Sequence, residues 1–428
     1  MKTGQALTRL AEWIQSRDVA EVPSARLDKL KLHIVDTVAA RLAGSRTNEG
    51  AAVRRLGASM RDAVGAAVLV DCAHTRCTEV DDIHLVSCTT PGSVVVPTVL
   101  ALAASGELRS VRECCSAVLV GYEALIRLGA AIDGPRALHR HVWPTHVAAA
   151  FGSAAAASRG YKLTVEQTAG AVATALAFGS GPPVSGTPAS SSRWMTLGVA
   201  AANGELAARA AREGLVGTAG DVVSPAQLVN GLGRRYLFDD VGMKPFPTAR
   251  QGLAAIQATR EIADAEQLRA VEIDEVVASL PELQRRIVDR PEMPASRFES
   301  VVSLQYQLAL ALVAPARLLD VVRTPPFCNE ELRRLMSKVR IRRARDLDAR
   351  YPRAWPARVT IAARGRRFVR LVAHPLGDAG RPLGWDQVAD KFVALASPAV
   401  GEAAARRAVE GLRSARPDAA MPVLWDVR

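Results

Sequence analysis

A mainly α protein, with one large all-helical domain and a smaller α+β domain, is the fold class that the sequence predicts. Three observations lead there. Hydrophobic residues make up 49% of the 428-residue chain but aromatics only 4%, so Ala, Val and Leu must fill the core, which favours closely packed helices over a β-sandwich. Through the first 240 residues, apolar positions recur at helical spacing. After about residue 240 that period gives way to short alternating stretches, and it returns at Trp385. The expected boundaries are a helical domain over 1–243 and 395–428, with an α+β domain over 244–394. The length allows two or three domains' worth of core.

In chain order, Ala6–Ile14 is amphipathic. A long helix follows over Ala25–Ala43, with Ser24 before it and Gly44 as its stop. Further helices are expected at Val94–Ala104, Val111–Leu128, Thr145–Ser158, Val165–Phe178 and Leu197–Glu213. Thr164 and Gln167 have capping-box spacing for the fourth of these. Their Ala and Gly content lets helix axes approach closely. Beyond residue 240, Val271–Ser279 and Ser337–Ile341 read as strands and Ser300–Val313 as a helix. Arg358–Ala373 reads as a hairpin turned at Arg364-Gly365, with Val359, Ile361, Phe368 and Leu371 facing inward. Helices resume at Trp385–Leu395 and Gly401–Ala415.

Net charge is +12, from 55 basic and 43 acidic residues, and only seven of the basic residues are Lys. An Arg- and Ala-rich composition suits either a GC-rich coding sequence or an anionic partner. No helix-turn-helix, zinc-finger or RNP-type pattern occurs, so a nucleic-acid partner is not expected. The charge-free stretches Leu85–Gly106 and Gln167–Ser192 are broken by prolines, and the N-terminus lacks an apolar h-region. A cytoplasmic protein without a membrane partner is expected. Six cysteines in so long a chain argue against a disulfide framework.

No phosphate-cradling GxGxxG or GxxxxGK[ST] and no GxSxG elbow is present, and the Gly-rich piece Gly179–Gly186 holds prolines and no Lys. Cys72, His74 and Cys77 do not have the spacing of a zinc site and read as small apolar core residues. Neither a metal nor an organic cofactor is expected.

Five groups of residues carry possible chemistry. In Arg76–Pro97, Glu79, Asp81 and Asp82 stand beside Arg76 and His84, and a hydroxyl-rich loop with Thr90 leads into a helix. These acids can pair with Arg76, orient His84 or act as bases; the other reading is a capped, solvated loop. Leu138–His146 holds Arg140, His141, Trp143 and His146, and histidine suits proton transfer near neutrality. Arg193 opens a helix within Ser190–Leu197. Met243–Arg250 places Lys244, Phe246 and Arg250 around a proline-rich turn, and Ser303 and Tyr306 sit in an otherwise apolar helix. Read singly, these last segments fit a helix cap, a surface turn and a core phenol.

Taken in order, these segments resemble the MmgE/PrpD family. The resemblance runs through LKLHIVDTVAARLAGS, EVDDIHLVSCTTPGSVVVPTVLALA, VLVGYEALIRLGAAI, HVWPTHVAAAFGSAAAASRGYKLTVEQ, GVAAANGELAARAAREGL, MKPFPTARQGLAAI, SLQYQLALAL, and a late PLG followed by DKF. It implies a helical domain with a smaller α+β lid, a homodimer, and cofactor-independent chemistry on small polycarboxylic acids. The family's paired Asp resembles Asp81-Asp82, its Lys-Pro-Tyr-Pro resembles Lys244–Pro247 with Phe246 for Tyr, and its Ser-x-x-Tyr resembles Ser303–Tyr306. Three family histidines are replaced, by Thr90, by Trp143 and near Ala249, and a family Lys becomes Arg193, which binds carboxylates but does not act as a base.

The expectation is therefore a lyase or isomerase that removes a proton next to a carboxylate or carbonyl of a small anionic metabolite. Dehydration, decarboxylation and epimerisation are all open. Asp82, His84, His146, Lys244 and Tyr306 are the expected catalytic residues. Arg76, Thr90, Arg140, His141, Trp143, Arg193, Phe246 and Arg250 are the expected binding residues. Asp82, His84, Arg193, Lys244 and Tyr306 are expected to meet in one cleft. An unusual natural-product or catabolic intermediate as substrate, or a non-catalytic binding protein, are the alternatives.

Overall fold

Small residues set the helix spacing in the first part of the chain. In this computed structural model, residues 1–179, 191–218, 224–327 and 329–422 are described. The stretch 180–190, with most of Gly179–Gly186, and Cys328 lie outside them. Backbone contacts divide the chain into two units: the first takes in the described residues of 1–179, 191–243 and 384–422, the second those of 244–383.

The first unit contains α1 (Thr3–Ser16), α2 (Ser24–Gly44), α3 (Asn48–Ala58), α4 (Ala63–Cys77), β1 (Asp82–His84), α5 (Gly92–Ala104) and α6 (Val111–Ala131). It continues with α7 (Gly134–His139), α8 (Pro144–Gly160), α9 (Val165–Ala177), α10 (Ser192–Arg212), α11 (Pro225–Val229) and β2 (Val241–Met243). Helix α8 packs between α6 and α10, and α10 also packs on α4. A Cβ on Gly204 of α10 would lie 2.1 Å from the Ala150 carbonyl oxygen of α8, so only glycine permits that approach. Helix α6 is the one described helix long and apolar enough to cross a membrane, and 89% of that apolar window is buried inside the protein. It is the central core helix here.

Helices α3 and α4 were not expected from the sequence. Cys72, His74 and Cys77 ride on α4, where each side chain goes its own way. The Cys72 thiol reaches the Val94 carbonyl (3.6 Å), the His74 ring the Gly50 carbonyl (3.0 Å), and the Cys77 thiol the His74 carbonyl (3.2 Å). Burial raises the Cys72 thiol well above its ordinary value, which keeps it unreactive.

The second unit holds α12 (Leu253–Ala265), β3 (Ile273–Leu280), α13 (Glu282–Val288), α14 (Arg297–Val302), α15 (Leu304–Val313), α16 (Glu330–Ser337), β4 (Val339–Arg343), β5 (Ala357–Ala363) and β6 (Arg366–Val372). Its sheet runs in the order β4-β3-β5-β6, with β4 parallel to β3 and the other neighbours antiparallel. The hairpin turns at Arg364 and Gly365 with φ of 51° and 68°, the left-handed pair that matches strand twist. Val359 and Ile361 are buried and Phe368 half-buried, but Leu371 is 43% exposed. Phe368 and Leu371 are three apart, so the two-residue strand period puts them on opposite faces, and Val372 is buried instead. The helix expected over Ser300–Val313 is broken at Ser303, which caps α15 by accepting from the Tyr306 amide.

The chain rejoins the first unit at residue 384, not at about 395, because α17 (Trp385–Val400) is one helix through Pro398; α18 (Glu402–Ser414) follows. In α17, Lys391 is buried on Asp36 of α2, and its ammonium also donates to the Val80 carbonyl (3.0 Å). This pair anchors the late helix beside the strand that carries Asp82.

Candidate active site

Two buried polar networks of the first unit meet at Asp81-Asp82. The first surrounds Asp82. Its Oδ1 accepts from the Gly92 amide (2.9 Å), and its Oδ2 accepts from the Tyr122 hydroxyl (2.7 Å) and from His33 Nδ1 (2.9 Å). A Cβ on Gly92 would lie 2.7 Å from both Asp82 Oδ2 and the Tyr122 hydroxyl oxygen, so the carboxylate sits directly on the start of α5. Burial and the adjacent Asp82 carboxylate raise the Tyr122 phenol well above its usual range, so it stays protonated and donates. The His33 ring is walled by the edges of Tyr122 and Phe238, and its Nε2 has no hydrogen-bond partner. With three donors on one carboxylate, Asp82 ties α2, α5 and α6 together. The carboxylate offered above for proton transfer is thus occupied by three protein donors.

His84 belongs to the same side. Strand β1 pairs antiparallel with β2, His84 opposite Val241. His84 Nδ1 accepts from the Ser87 amide (3.2 Å) and lies 2.8 Å from the Ser87 hydroxyl, which contacts the Thr89 hydroxyl at 2.7 Å. An amide only donates, so Nδ1 is bare and Nε2 carries the proton. Burial pushes the imidazole down to about 4, so it is neutral at pH 7. Its basic nitrogen is spent on closing the 84–89 turn.

The second network surrounds Arg76, at the end of α4. That helix stops with Glu79 in the left-handed region (φ 55°), a position that glycine usually fills. The turn brings the Glu79 carboxylate to 2.7 Å from Arg76 Nη1, and Asp81 lies 3.4 Å from the same nitrogen. Burial alone would lower the Arg76 guanidinium, but Asp81 and Glu79 outweigh it and hold it above its ordinary value. Arg76 Nε is buried with no hydrogen-bond partner.

Two indoles flank this guanidinium. The Arg76 Cζ lies 5.7 Å from the Trp143 ring centre and 5.5 Å from that of Trp194; for the Arg193 Cζ the distances are 5.3 and 5.0 Å. Burial, and secondarily Arg76, lower the Arg193 guanidinium to about 10. The Trp143 ring meets the His146 ring edge-on at 5.6 Å.

His146 sits in the first turn of α8. Its Nε2 lies 3.0 Å from the Arg193 carbonyl oxygen. A carbonyl only accepts, so Nε2 carries the proton and Nδ1 is the basic nitrogen. Nδ1 is buried and has no hydrogen-bond partner. Burial, aided by Arg76 and Arg193, pushes this imidazole down to about 4. Thr90 lies beside the same helix: its amide donates to the Thr145 hydroxyl (3.0 Å), and its own hydroxyl contacts those of Ser93 and Thr145, each at 3.2 Å.

The structure thus brings Arg76, Trp143, His146 and Arg193 into one network, with Thr90 at its margin. It does not bring in Arg140 and His141, which are exposed. Helix α7 ends at His139, and His141 takes a left-handed φ of 60° in the turn that follows; the turn projects both side chains into solvent. Asp82 bonds to His33, Tyr122 and Gly92. Within this unit, the residues expected to share one cleft are distributed over two networks that meet at Asp81-Asp82.

The remaining candidates lie in the second unit. Lys244 is 2% exposed and directly follows β2. Phe246 packs half-buried against that unit's core. Arg250 is buried on Asp378 beside the Trp355 ring (5.7 Å). Tyr306 is part of the core, and its hydroxyl donates to the Phe327 carbonyl (3.0 Å). That proton is committed to the backbone, which does not support the acid role expected from the sequence.

Sequence reasoning missed His33, Tyr122 and Trp194. His33 had a signal: a histidine inside the apolar run of α2, three residues before a buried Asp36. Tyr122 had none, because it looks like any apolar residue of α6.

Known families agree with the resemblance. The MmgE/PrpD N-terminal domain matches residues 8–233 and the MmgE/PrpD C-terminal domain matches residues 246–414. No curated protein matches the chain. With both domains matched in order over most of its length, the chain belongs to the MmgE/PrpD family.

Proposed function

We propose that the protein is a lyase or isomerase that removes a proton next to a carboxylate or carbonyl of a small acid, using the Arg76–Trp143–His146–Arg193 network. The family includes dehydratases and other lyases, which supports an enzyme of that general type. One observation carries the finer reading: a neutral His146 with an uncommitted Nδ1 stands beside two buried guanidinium groups.

The chemistry follows from those groups. Nδ1 takes the proton, and the electron pair moves onto the carbonyl oxygen as an enolate. A guanidinium near that oxygen stabilises the developing charge, and does so more strongly away from bulk water. The Arg193 carbonyl holds the ring through Nε2–H and fixes which nitrogen faces the substrate. Both guanidiniums oppose an imidazolium at His146. A bound carboxylate offsets them, so substrate itself raises the basicity of His146. Expulsion of a β-hydroxyl, protonated as it leaves by the His146 imidazolium, gives dehydration, and return of the proton to the other face gives epimerisation; in decarboxylation, loss of CO2 in place of proton removal leaves the same enolate, which then takes up a proton.

The proposed setting is a cytoplasmic homodimer acting on a small metabolite, with neither nucleic acid nor membrane as partner. The test is incubation in deuterium oxide with a panel of small carboxylic and oxo acids, followed by proton NMR. Deuterium entering the carbon next to the carboxylate or carbonyl is the expected result. A panel without exchange at millimolar acid and tens of micromolar enzyme would refute the reading.

A further inference from the structure

The positive charge of the chain is concentrated in one stretch of the second unit. From Arg333 to Arg370, thirteen arginines and one lysine stand against two aspartates, so this stretch carries +12, the whole excess of the chain. Both aspartates are taken up, Asp348 by Arg343 and Asp346 by Arg358. Arg364 and Arg370 draw on Glu272 and Glu261 from outside the stretch. Arg366 and Arg367, which open β6, are exposed and make no ion pair among the described residues.

Strand β6 is also the edge of its sheet. The order β4-β3-β5-β6 leaves it paired with β5 alone, from Ala357 opposite Val372 to Ala363 opposite Arg366. Its outer edge carries backbone N–H and C=O groups with no strand partner among the described residues. Val369 is 62% and Leu371 43% exposed. With Arg367 they lie on the open face of the sheet, because their partners on β5 alternate with the buried Val359 and Ile361.

Three properties thus coincide on one strand: an unpaired edge, uncompensated positive charge and exposed aliphatic side chains. Phosphates of a nucleic acid would meet the arginines but leave the ladder unpaired and desolvate Val369 and Leu371 without replacing their water by apolar contact. Lipid headgroups would leave the ladder unpaired too. A second copy pairing through β6 would gather six arginines of the two strands at one seam, where like charges repel. An acidic polypeptide meets all three properties.

We propose that β6 accepts an extended, acidic segment of a partner protein as a fifth strand of this sheet. Such a strand sets acids opposite Arg366 and Arg367 and aliphatic side chains opposite Val369 and Leu371. The backbone ladder supplies affinity, and the arginines select the sign of the partner's charge.

Fluorescence polarisation of a labelled peptide, Val-Thr-Val-Thr-Glu-Glu, with the full chain at physiological salt tests it. In antiparallel pairing its valines meet Leu371 and Val369, and its glutamates meet Arg367 and Arg366. One control peptide carries Lys-Lys for Glu-Glu. Another carries Pro-Pro at its two central positions, which removes a ladder donor whichever edge the strand presents. The acidic peptide should bind at least about tenfold more tightly than either control. The chain carrying both Arg366→Glu and Arg367→Glu should prefer the lysine peptide instead, with an unchanged urea midpoint. Should that variant not fold, the wild-type ranking of the three peptides decides alone. Equal binding of the proline peptide would mean charge attraction without a strand and overturns the proposal, as does failure of the acidic peptide to bind at millimolar concentration. Tighter binding of a short DNA duplex or of phosphatidylserine vesicles would assign the patch to nucleic acid or membrane. Dimers in light scattering that the double substitution breaks would assign the edge to a second copy; each of these results overturns the proposal as well.

Discussion

Asp81 and Asp82 are neighbours in sequence and serve opposite ends. Successive residues of an extended segment point to opposite sides, so Asp82 turns to His33, Tyr122 and the start of α5, while Asp81 turns to Arg76. Every donor around the Asp82 carboxylate comes from the protein and is fixed. Beside Arg76 and His146, Arg76 Nε and His146 Nδ1 have no hydrogen-bond partner, nor has His33 Nε2 beside Asp82. Proteins seldom leave buried polar atoms unsatisfied without a use for them. The Asp82 carboxylate, saturated by three donors of its own chain, is a brace, whereas His146 keeps its basic nitrogen uncommitted beside two guanidinium groups, and chemistry is to be sought there.

The brace should fail first. Asp82→Ala leaves the Gly92 amide, the Tyr122 hydroxyl and His33 Nδ1 without their common acceptor. A loss of about 4 kcal/mol in stability is expected, the scale for breaking a buried, charge-assisted network. Urea unfolding measures it, and a change under 1 kcal/mol would dissolve the contrast between the two sites.

Acid comes next, and it acts on both networks. His84 and His146 have ordinary values of 6.5 and are pushed down to about 4 by burial. The unfolded chain takes up these protons below about pH 6.5, whereas the fold excludes them until about 4. Stability is therefore complete above 6.5 and declines as pH falls towards 4, by on the order of 3 kcal/mol for each histidine. His146→Gln should remove its share of that slope. Urea midpoints at pH 7, 5.5 and 4.5 decide it; a flat profile would mean that these imidazoles are not buried neutral.

The smallest effect is expected at Tyr306. Tyr306→Phe leaves the Phe327 carbonyl without its donor and should cost about 1 kcal/mol, with turnover nearly unchanged. A large loss of turnover with intact stability would restore the phenol as a proton donor.

Much of the fold was readable in the chain, because helical spacing, the capping box at Thr164 and the Arg364-Gly365 turn are local signals. The helices α3, α4 and α12 were not. Helix α4 opens on an unbroken run of small and apolar residues, Ala63–Val70, which shows no helical period of its own. At the site, the density of charge from Arg76 to His84 and the cluster from Leu138 to His146 pointed to the right segments. The sequence did not reveal which way each side chain turns. The division between Asp81 and Asp82, the exposure of His141 and the commitment of the Tyr306 proton all depend on backbone direction. Long-range partners such as His33 and Tyr122 depend on it too.

The central claim is that His146, and not its equally buried neighbour His84, takes the proton. The direct measurement is the rate of deuterium incorporation from solvent into an exchanging acid, for wild type, His146→Gln and His84→Gln, each checked for an intact fold by its unfolding midpoint. His146→Gln should lower the rate by about 10²–10⁴-fold, the usual contribution of a positioned base, while folded His84→Gln stays within about tenfold of wild type. Equal rates in wild type and His146→Gln, or a collapse of exchange confined to His84→Gln, would contradict the account.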